Sequence, residues 1–214
     1  STNEKTGLEA AAGAAYAGAR SLVTMKQVGL NVAADPLMSL AYLGVAGGMV
    51  VLVADDPGPI SSQTEQDTRT FARFAKVPCF DPTGVAEAYE MIQEAFEFSE
   101  KYHTPVFFRP TTRVDHGYAS ITVKEPAEYT VHEAKGFARD PGRWVIFPRL
   151  SRRAHGRCFR AVSTSFISSS RSPAASSRTL MSALRVIRNG ALSRMGSPGK
   201  MRSRNAVIMS SRSR

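Results

Sequence analysis

The sequence is poor in cysteine, with 2 Cys among 214 residues. Cys79 and Cys158 lie far apart and form no Cys-x-x-Cys pair. This scarcity argues against a disulfide framework and against a structural metal site of the usual spacing. It also fits a reducing compartment. We therefore predict a cytoplasmic protein with no metal ligands of its own.

Long hydrophobic runs are also missing. The longest apolar stretch covers residues 43–54, which is shorter than the roughly 20 residues that a membrane-spanning helix needs. No signal-peptide pattern precedes the first predicted helix. We therefore expect no membrane partner.

Acidic residues are absent from the end of the chain. Residues 151–214 hold 14 of the 28 Lys and Arg, whereas all 18 Asp and Glu lie in residues 1–150. The net charge of +10 therefore belongs to this tail, and the nearly balanced first part does not resemble a nucleic-acid binder.

The tail, residues 151–214, is rich in Ser and Arg and predicts an irregular or disordered segment. Three interpretations stay open. It is a disordered arm for nucleic acid or acidic surfaces, a weakly amphipathic membrane-surface segment, or the product of out-of-frame translation. The abrupt change of composition, with no linker before it, favours out-of-frame translation over nucleic-acid binding, and both over a membrane role.

Helical and strand patterns alternate over residues 1–112. Apolar, β-branched runs predict strands at residues 21–26, 48–56, 77–80 and 104–112, and helical spacing predicts helices at residues 4–20, 31–44, 62–76 and 81–102. Pro36 makes the second of these helices start near Ala34 or bend. Asp81 or Thr83 is placed to cap the last helix. This alternation predicts an α/β fold, a flavodoxin-like parallel sheet with helices on both faces. Residues 1–118 form the predicted domain, and residues 119–150 an extended connector.

Glu4 has two interpretations from the residues alone. Ser1 and Glu4 fit the Ser-x-x-Glu capping box, and acids are common in the first turn of a helix. On pattern alone, capping is favoured over chemistry. The loops that follow the four strands are polar and rich in Gly and Pro, as expected where parallel strands meet a ligand.

Several long blocks carry a family resemblance: "STNEK", "AYAGARSLVTMKQVGLNVAADPLMSLAY", "VVLVADDPG", "SSQTEQDTRTFARFAKVP", "EAYEMIQEAFEFSEKYHTPVFFRPTTRVDH" and "RWVIFP". In this order they resemble the alpha subunits of thiamine-diphosphate-dependent 2-oxoacid:ferredoxin oxidoreductases, and among them the indolepyruvate type. The resemblance covers about residues 1–150.

The resemblance implies the pyrimidine-binding domain of such an enzyme, incomplete at its N-terminus because the family's first strand and its "YPGTP"-like loop do not occur. The family's GDG motif and cysteine-rich motifs are also missing, so the ligands for Mg²⁺ and for [4Fe–4S] clusters are absent from this chain. The implied reaction is oxidative decarboxylation of aryl 2-oxoacids to acyl-CoA with reduction of ferredoxin. The implied partners are a second catalytic subunit, ferredoxin, coenzyme A and the 2-oxoacid.

Two alternatives are kept, namely another 2-oxoacid such as pyruvate or 2-oxoglutarate, and a non-catalytic basic protein that acts through residues 151–214. Alone, the chain is expected to be inactive.

The resemblance also reverses the interpretation of Glu4. In this family a glutamate at the start of the same helix hydrogen-bonds to the aminopyrimidine ring, which makes Glu4 the implied catalytic residue. Gln27, Gly29 and Asn31 are the implied cofactor-binding residues, although Asn31 fits a helix cap equally well.

Substrate contacts fall on Ser62 and Gln63, which fit a helix start as well. Asp55 and Asp56 are predicted turn formers by default. Arg113 fits a carboxylate clamp or, more commonly, a surface ion pair. His116 has no partner at triad spacing and is interpreted as a surface residue.

Overall fold

A computed structural model of the chain describes residues 2–129 and 132–156. The elements in chain order are α1 (Glu4–Tyr16), β1 (Ser21–Lys26), α2 (Gln27–Val32), α3 (Ala34–Leu43), β2 (Met49–Ala54), α4 (Thr68–Ala75), β3 (Cys79–Phe80), α5 (Val85–Tyr102), β4 (Val106–Phe108), α6 (Thr112–Asp115), a 3-10 turn (Pro126–Glu128) and α7 (Pro141–Trp144). Residues 148–156 are also helical.

The four strands form one sheet in the order β1-β2-β4-β3, and every pairing is parallel. Parallel neighbours require crossover connections, which the helices provide here. Because all strands run the same way, the segments that follow them gather at one edge of the sheet. The predicted α/β fold with a parallel sheet is confirmed.

Helices cover both faces of the sheet, as predicted. Alternate residues of β2 point to opposite faces, and Val50 and Val51 are both fully buried. Val51 belongs to a cluster with side chains of α1 to α4, whereas Val50 belongs to a second cluster with α5. The apolar run of β2 therefore reflects burial on two faces rather than one.

Ser99 of α5 joins helix and sheet at the amino end of the strands. Its Oγ donates to the carbonyl of Thr104, 2.6 Å away, and accepts from the amide of Met49 at 2.8 Å. The side chain is fully buried. Since both backbone groups would otherwise be unpaired, Ser99 holds the starts of two strands against α5.

Several helix boundaries differ from the predicted ones. The start near Ala34 that Pro36 predicts is confirmed, since α3 begins at Ala34, and the residues before it belong to α2, which ends at Val32. The helix predicted from residue 62 begins at Thr68, since Asp67 caps it by accepting from the amide of Arg69 at 3.0 Å. Polar residues 62–67 form a loop instead, which places them at the edge of the sheet.

The caps predicted for two helices are wrong. The N-cap of α1 is Asn3, whose side chain accepts from the amide of Lys5 at 2.9 Å, so Glu4 is the first helical residue. Ser1, the expected partner in a capping box, lies outside the described residues. The N-cap of α5 is Gly84, which makes no side-chain cap. Thr83 instead bonds to the Glu87 carboxylate through its amide and hydroxyl at 2.7 and 2.6 Å.

The described parts of the predicted connector return to the domain through aromatic contacts. Trp144 packs between Tyr16 of α1 and Phe137, with ring centroids 5.0 and 5.5 Å away. Arg143 donates to the carbonyl of Val45 at 2.9 Å. The predicted domain boundaries at residues 118 and 150 stay predictions. Of the predicted tail, residues 151–156 are helical, and residues 157–214, with the interpretations placed on them, lie outside the described residues.

Across residues 2–129 and 132–156, none of the helices combines the length and the apolar character that a bilayer crossing requires.

Candidate functional site

The candidate site lies at the edge of the sheet where the strands end. At β1 the chain passes directly into α2, and at β2 it enters the loop of residues 55–67, which we name the β2 loop. The start of α1 reaches the same edge, because α1 packs against both β1 and α2. This edge is the usual ligand position in open parallel sheets.

Glu4 lies directly over Gly29. A Cβ atom on residue 29 would be 2.6 Å from Glu4 Cγ and 2.8 Å from Glu4 Oε1, a separation that real atoms do not tolerate. Gly29 is buried within α2, whereas Glu4 is solvent-exposed. The absence of a side chain at residue 29 therefore lets the carboxylate lie across the α2 backbone at the end of β1.

Gln27 is fully buried at the start of α2. Its Nε2 donates to the carbonyl of Thr64 at 3.0 Å. Its Oε1 is shielded from solvent and has no hydrogen-bond partner among the described residues. Buried polar atoms are nearly always paired, so this acceptor is available to a hydrogen-bond donor from a ligand or a water molecule.

Asp56 shapes the first half of the β2 loop. Its Oδ2 accepts from the amides of Ile60, Ser61 and Ser62 at 3.0, 2.7 and 2.8 Å, and its Oδ1 accepts from the Thr112 hydroxyl at 2.7 Å. These bonds, led by that from the Ser61 amide, hold the pKa of Asp56 well below its usual value. Asp56 is thus a turn former, as predicted by default.

Ser62 and Gln63, the predicted substrate residues, lie on this loop at the carboxyl edge. The Oγ of Ser62 is buried and unpaired within the described part of the chain, whereas Gln63 is exposed. Lys26, the last residue of β1, donates to the carbonyl and the hydroxyl of Ser61 at 3.2 and 3.0 Å. Lys26 and Gln27 thus tie the end of β1 to the loop.

A second group at this edge is a buried ion-pair network around Arg109, which we name the Arg109 network. Arg109, which is 4% exposed, contacts the carboxylate of Asp55 through Nε and that of Asp81 through Nη1 at 3.0 Å. Burial alone would lower the pKa of Arg109, but its hydrogen bond to Asp55 and the negative charge of Asp81 raise the pKa above its usual value. The network links the segments that follow β2, β3 and β4.

Asp55 also fixes the start of α4. It accepts hydrogen bonds from the amide of Thr68 at 3.0 Å and from the Thr68 hydroxyl. Asp55 is therefore a structural ion-pair residue and not the turn former predicted from Asp-Asp-Pro-Gly. Thr68 and Arg109 were not identified from the sequence, although a charged residue immediately after a buried strand, as in "VFFR", is a usable signal for a strand-end contact.

The structure does not support a capping role for Asn31, which is exposed on α2, whereas the N-cap of α3 is Ala33. Arg113 and His116 are exposed on and after α6, apart from the buried groups of the site. The arginine that binds carboxylates at this edge is Arg109 rather than Arg113. Over residues 2–129 and 132–156, no three His, Cys, Asp or Glu side chains gather as a metal site would require.

Comparison with known proteins defines the class. Residues 1–168 match the family described as pyruvate flavodoxin/ferredoxin oxidoreductase, thiamine diphosphate-binding, and the chain belongs to this family. The match extends beyond residue 150, where the resemblance of the sequence blocks was expected to end.

Relatives within the family share one name. The chain is 47% identical over 158 residues to the indolepyruvate oxidoreductase subunit IorA of Pyrococcus abyssi, 49% over 160 residues to that of Methanothermobacter thermautotrophicus, and 41% over 153 residues to that of Archaeoglobus fulgidus. Each alignment covers 72% of this chain but only 24%, 25% and 24% of the respective relative. The chain therefore spans about a quarter of the length of these curated relatives.

Proposed function

We propose that this chain supplies the pyrimidine-binding part of an indolepyruvate:ferredoxin oxidoreductase, with Glu4 as its catalytic residue. Family membership and the name of the relatives support the class of reaction. The single observation that carries the role of Glu4 is its position over Gly29. There a carboxylate lies in the open at the strand ends, over a backbone that lacks a side chain.

The residues fit a thiamine diphosphate ring by two independent features. Gly29 lets the Glu4 side chain lie where a Cβ would otherwise be, and Gln27 holds a buried acceptor without a partner among the residues that the structure describes. An aminopyrimidine ring is flat and carries both hydrogen-bond donors and acceptors. Glu4 would hold a proton against a ring nitrogen, Gln27 would bind the ring edge, and Gly29 would keep the position of Glu4 free of a side chain.

When bound, thiamine diphosphate supplies the nucleophilic carbon for the decarboxylation of a 2-oxoacid. Glu4 acts from this chain as a proton-holding group, because its carboxyl can share a proton with a weakly basic ring nitrogen. Asn31, exposed on the outer side of α2, remains a proposed further contact. Ser62 and Gln63 of the β2 loop would face the substrate.

The remaining parts of the enzyme belong to chain segments or subunits beyond this one. We propose a second catalytic subunit as the partner, with ferredoxin as electron acceptor and coenzyme A as acyl acceptor. Mg²⁺ and [4Fe–4S] clusters would be held outside this chain. We place the enzyme in the cytoplasm.

The substrate is proposed to be an aryl 2-oxoacid, because the relatives at 41–50% identity are named for indolepyruvate. The family description names pyruvate instead. Assays of the assembled enzyme with indolepyruvate, pyruvate and 2-oxoglutarate decide between them. A preference for either aliphatic acid contradicts the aryl assignment and leaves the role of Glu4 untouched.

The test of Glu4 uses Glu4→Gln in the assembled enzyme, with Glu9→Gln, an exposed acid on the same helix, as the control. General acid–base groups contribute about 10²- to 10⁴-fold, so we expect a loss of kcat in this range for Glu4→Gln and none for Glu9→Gln. Equal activity of the two variants would remove Glu4 from the mechanism.

A further inference from the structure

The side-chain amide of Gln27 is held in one orientation. Its Nε2 donates to the carbonyl of Thr64 at 3.0 Å, and a flipped amide would set two oxygens against each other. The orientation therefore fixes Oε1 as a free acceptor. Since this atom is buried and unpaired among residues 2–129 and 132–156, it requires a donor that these residues do not provide.

A second unpaired atom lies on the β2 loop itself. Ser62 Oγ is buried without a partner in the described ranges, although the Ser62 amide is bonded to Asp56 at 2.8 Å. The loop contacts Gln27 through Thr64. Two unpaired polar atoms on one loop and its contact residue make the closed arrangement costly, because each buried atom has lost water without gaining a partner.

The part of the β2 loop at residues 57–66 is held by polar contacts and little else. Its one large apolar side chain, Ile60, is 77% exposed. Within it, the Gly58 amide bonds to Glu65 at 3.0 Å. Bonds from Lys26 and Gln27 attach it to β1 and α2. A segment with few apolar contacts opens at low free-energy cost.

Both ends of this segment are fixed. On one side Asp55 and Asp56 are buried and bonded to Arg109 and Thr112. On the other side the start of α4 is bonded to Asp55 through Thr68. Movement is therefore confined to residues 57–66. Lifting them breaks the contacts from Lys26 and Gln27 and the bonds that the Ile60, Ser61 and Ser62 amides donate to Asp56.

We propose that Gln27 selects ligands that carry an N–H donor, which bonds to Gln27 Oε1. Residues 57–66 form a lid whose opening exposes this oxygen and admits the ligand. The proposal rests on the proposed function for the identity of the ligand, since the exocyclic amino group of an aminopyrimidine is a donor of this kind. Glu4 binds a ring nitrogen, and Gln27 Oε1 accepts a hydrogen bond from the amino group.

The lid is tested without ligand by hydrogen exchange of the Ile60, Ser61 and Ser62 amides in the 214-residue chain. Ser62→Ala removes an unpaired buried hydroxyl, which stabilises the closed lid relative to the open one. We therefore expect these amides to exchange about tenfold more slowly than in the wild type. The control Ser39→Ala, exposed on α3, leaves them unchanged. Faster exchange in Ser62→Ala would show that the hydroxyl has a stabilising partner and would overturn the lid.

The selectivity is tested with thiamine and oxythiamine, which carry an amino and an oxo group at the same ring position. Ligand-observed NMR on the full chain measures both dissociation constants. We expect the wild type to prefer thiamine by about tenfold, and Gln27→Met to lose this preference. Gln93→Met, a glutamine on α5 that bonds to Tyr89 and Lys124, should keep it.

The variants separate this inference from the proposed function. Glu4→Gln should weaken both compounds alike, because the ring nitrogen is common to them. A preserved preference in Gln27→Met would overturn the selectivity while the role of Glu4 stands. If Glu4→Gln binds both compounds as tightly as the wild type, and Gln27→Met loses the preference for thiamine, the role of Glu4 alone is contradicted. Failure of the wild-type chain to bind either compound would overturn the selectivity proposed for Gln27, whereas the role of Glu4 is decided separately by the kcat of Glu4→Gln in the assembled enzyme.

Discussion

Two groups of polar residues lie at the same edge of the sheet and differ in how fully they are paired. In the Arg109 network, the guanidinium and the carboxylates of Asp55 and Asp81 bond to each other and to the start of α4. Around α2, Glu4 is exposed and Gln27 retains an unpaired acceptor within the described residues. Fully paired polar groups suit a structural role, whereas an exposed carboxylate over Gly29 and an unpaired acceptor on Gln27 suit a binding surface.

The comparison separates stability from binding. Changes in the Arg109 network should unfold the chain, and changes around α2 should spare stability and reduce ligand binding. Three predictions test this division, beginning with the largest expected effect.

Arg109→Met should destabilise the chain most. The variant leaves the buried carboxylate of Asp55 without its cation, whereas Asp81 keeps a contact of 3.7 Å with Arg69. Loss of one partner of a buried ion pair costs about 3–5 kcal/mol. Urea unfolding followed by circular dichroism measures the change.

Lys5→Met is the control, since the ion pair of Lys5 with Asp35 is exposed at the surface and its loss should cost less than about 1 kcal/mol. Equal stability of Arg109→Met and Lys5→Met would show that the buried network does not stabilise the fold. The division between stabilising and binding residues would then be wrong.

Thr68→Val should have an intermediate effect. The shape of the side chain is kept, but Asp55 loses the hydroxyl hydrogen bond, and a bond to a charged group contributes about 1.5–3 kcal/mol. Thr70→Val, at an exposed position of the same helix, controls for the loss of a hydroxyl from α4. A similar midpoint of thermal unfolding for the two variants would contradict the role assigned to Thr68.

Gly29→Ala should change stability least. Alanine is favoured over glycine inside a helix by up to about 1 kcal/mol, and the neighbour that must move is the flexible, exposed side chain of Glu4. We therefore expect a free energy of unfolding within about 1 kcal/mol of the wild type and a clear loss of thiamine binding.

The matched control for this variant is Gly13→Ala on α1, because a Cβ there meets nothing within 4 Å. Normal thiamine binding by Gly29→Ala would mean that the space over residue 29 is not used by the ligand.

The fold was predictable from local sequence because the strand pattern and the helix pattern are both strong. The β2 run of apolar residues and the long amphipathic pattern of α5 are readable without tertiary contacts. Helix α2 was missed, since "QVGLNV" follows β1 with no turn residue and contains a glycine, which lowers helix propensity. Its formation depends on packing of Leu30 into the core.

The site was predictable only in part. Glu4, Gln27 and Gly29 were named from family resemblance, and their proximity at the end of β1 is a property of the fold. The Arg109 network joins residues that are up to 54 positions apart in sequence. The position of Arg109 directly after the apolar run of β4 indicates a strand-end contact, but its carboxylate partners depend on where β4 ends against Asp55 and are not readable from local sequence.

Cys79 offers a direct way to follow the opening of the sheet. The thiol is buried in β3, and this burial raises its pKa far above the usual range, so alkylating reagents cannot reach a reactive thiolate in the folded chain. In a chain with Cys158→Ser, labelling at residue 79 would therefore occur only during excursions that separate β3 from its neighbours. The rate at which Cys79 is labelled therefore measures how often β3, the strand farthest from β1, separates from its neighbours.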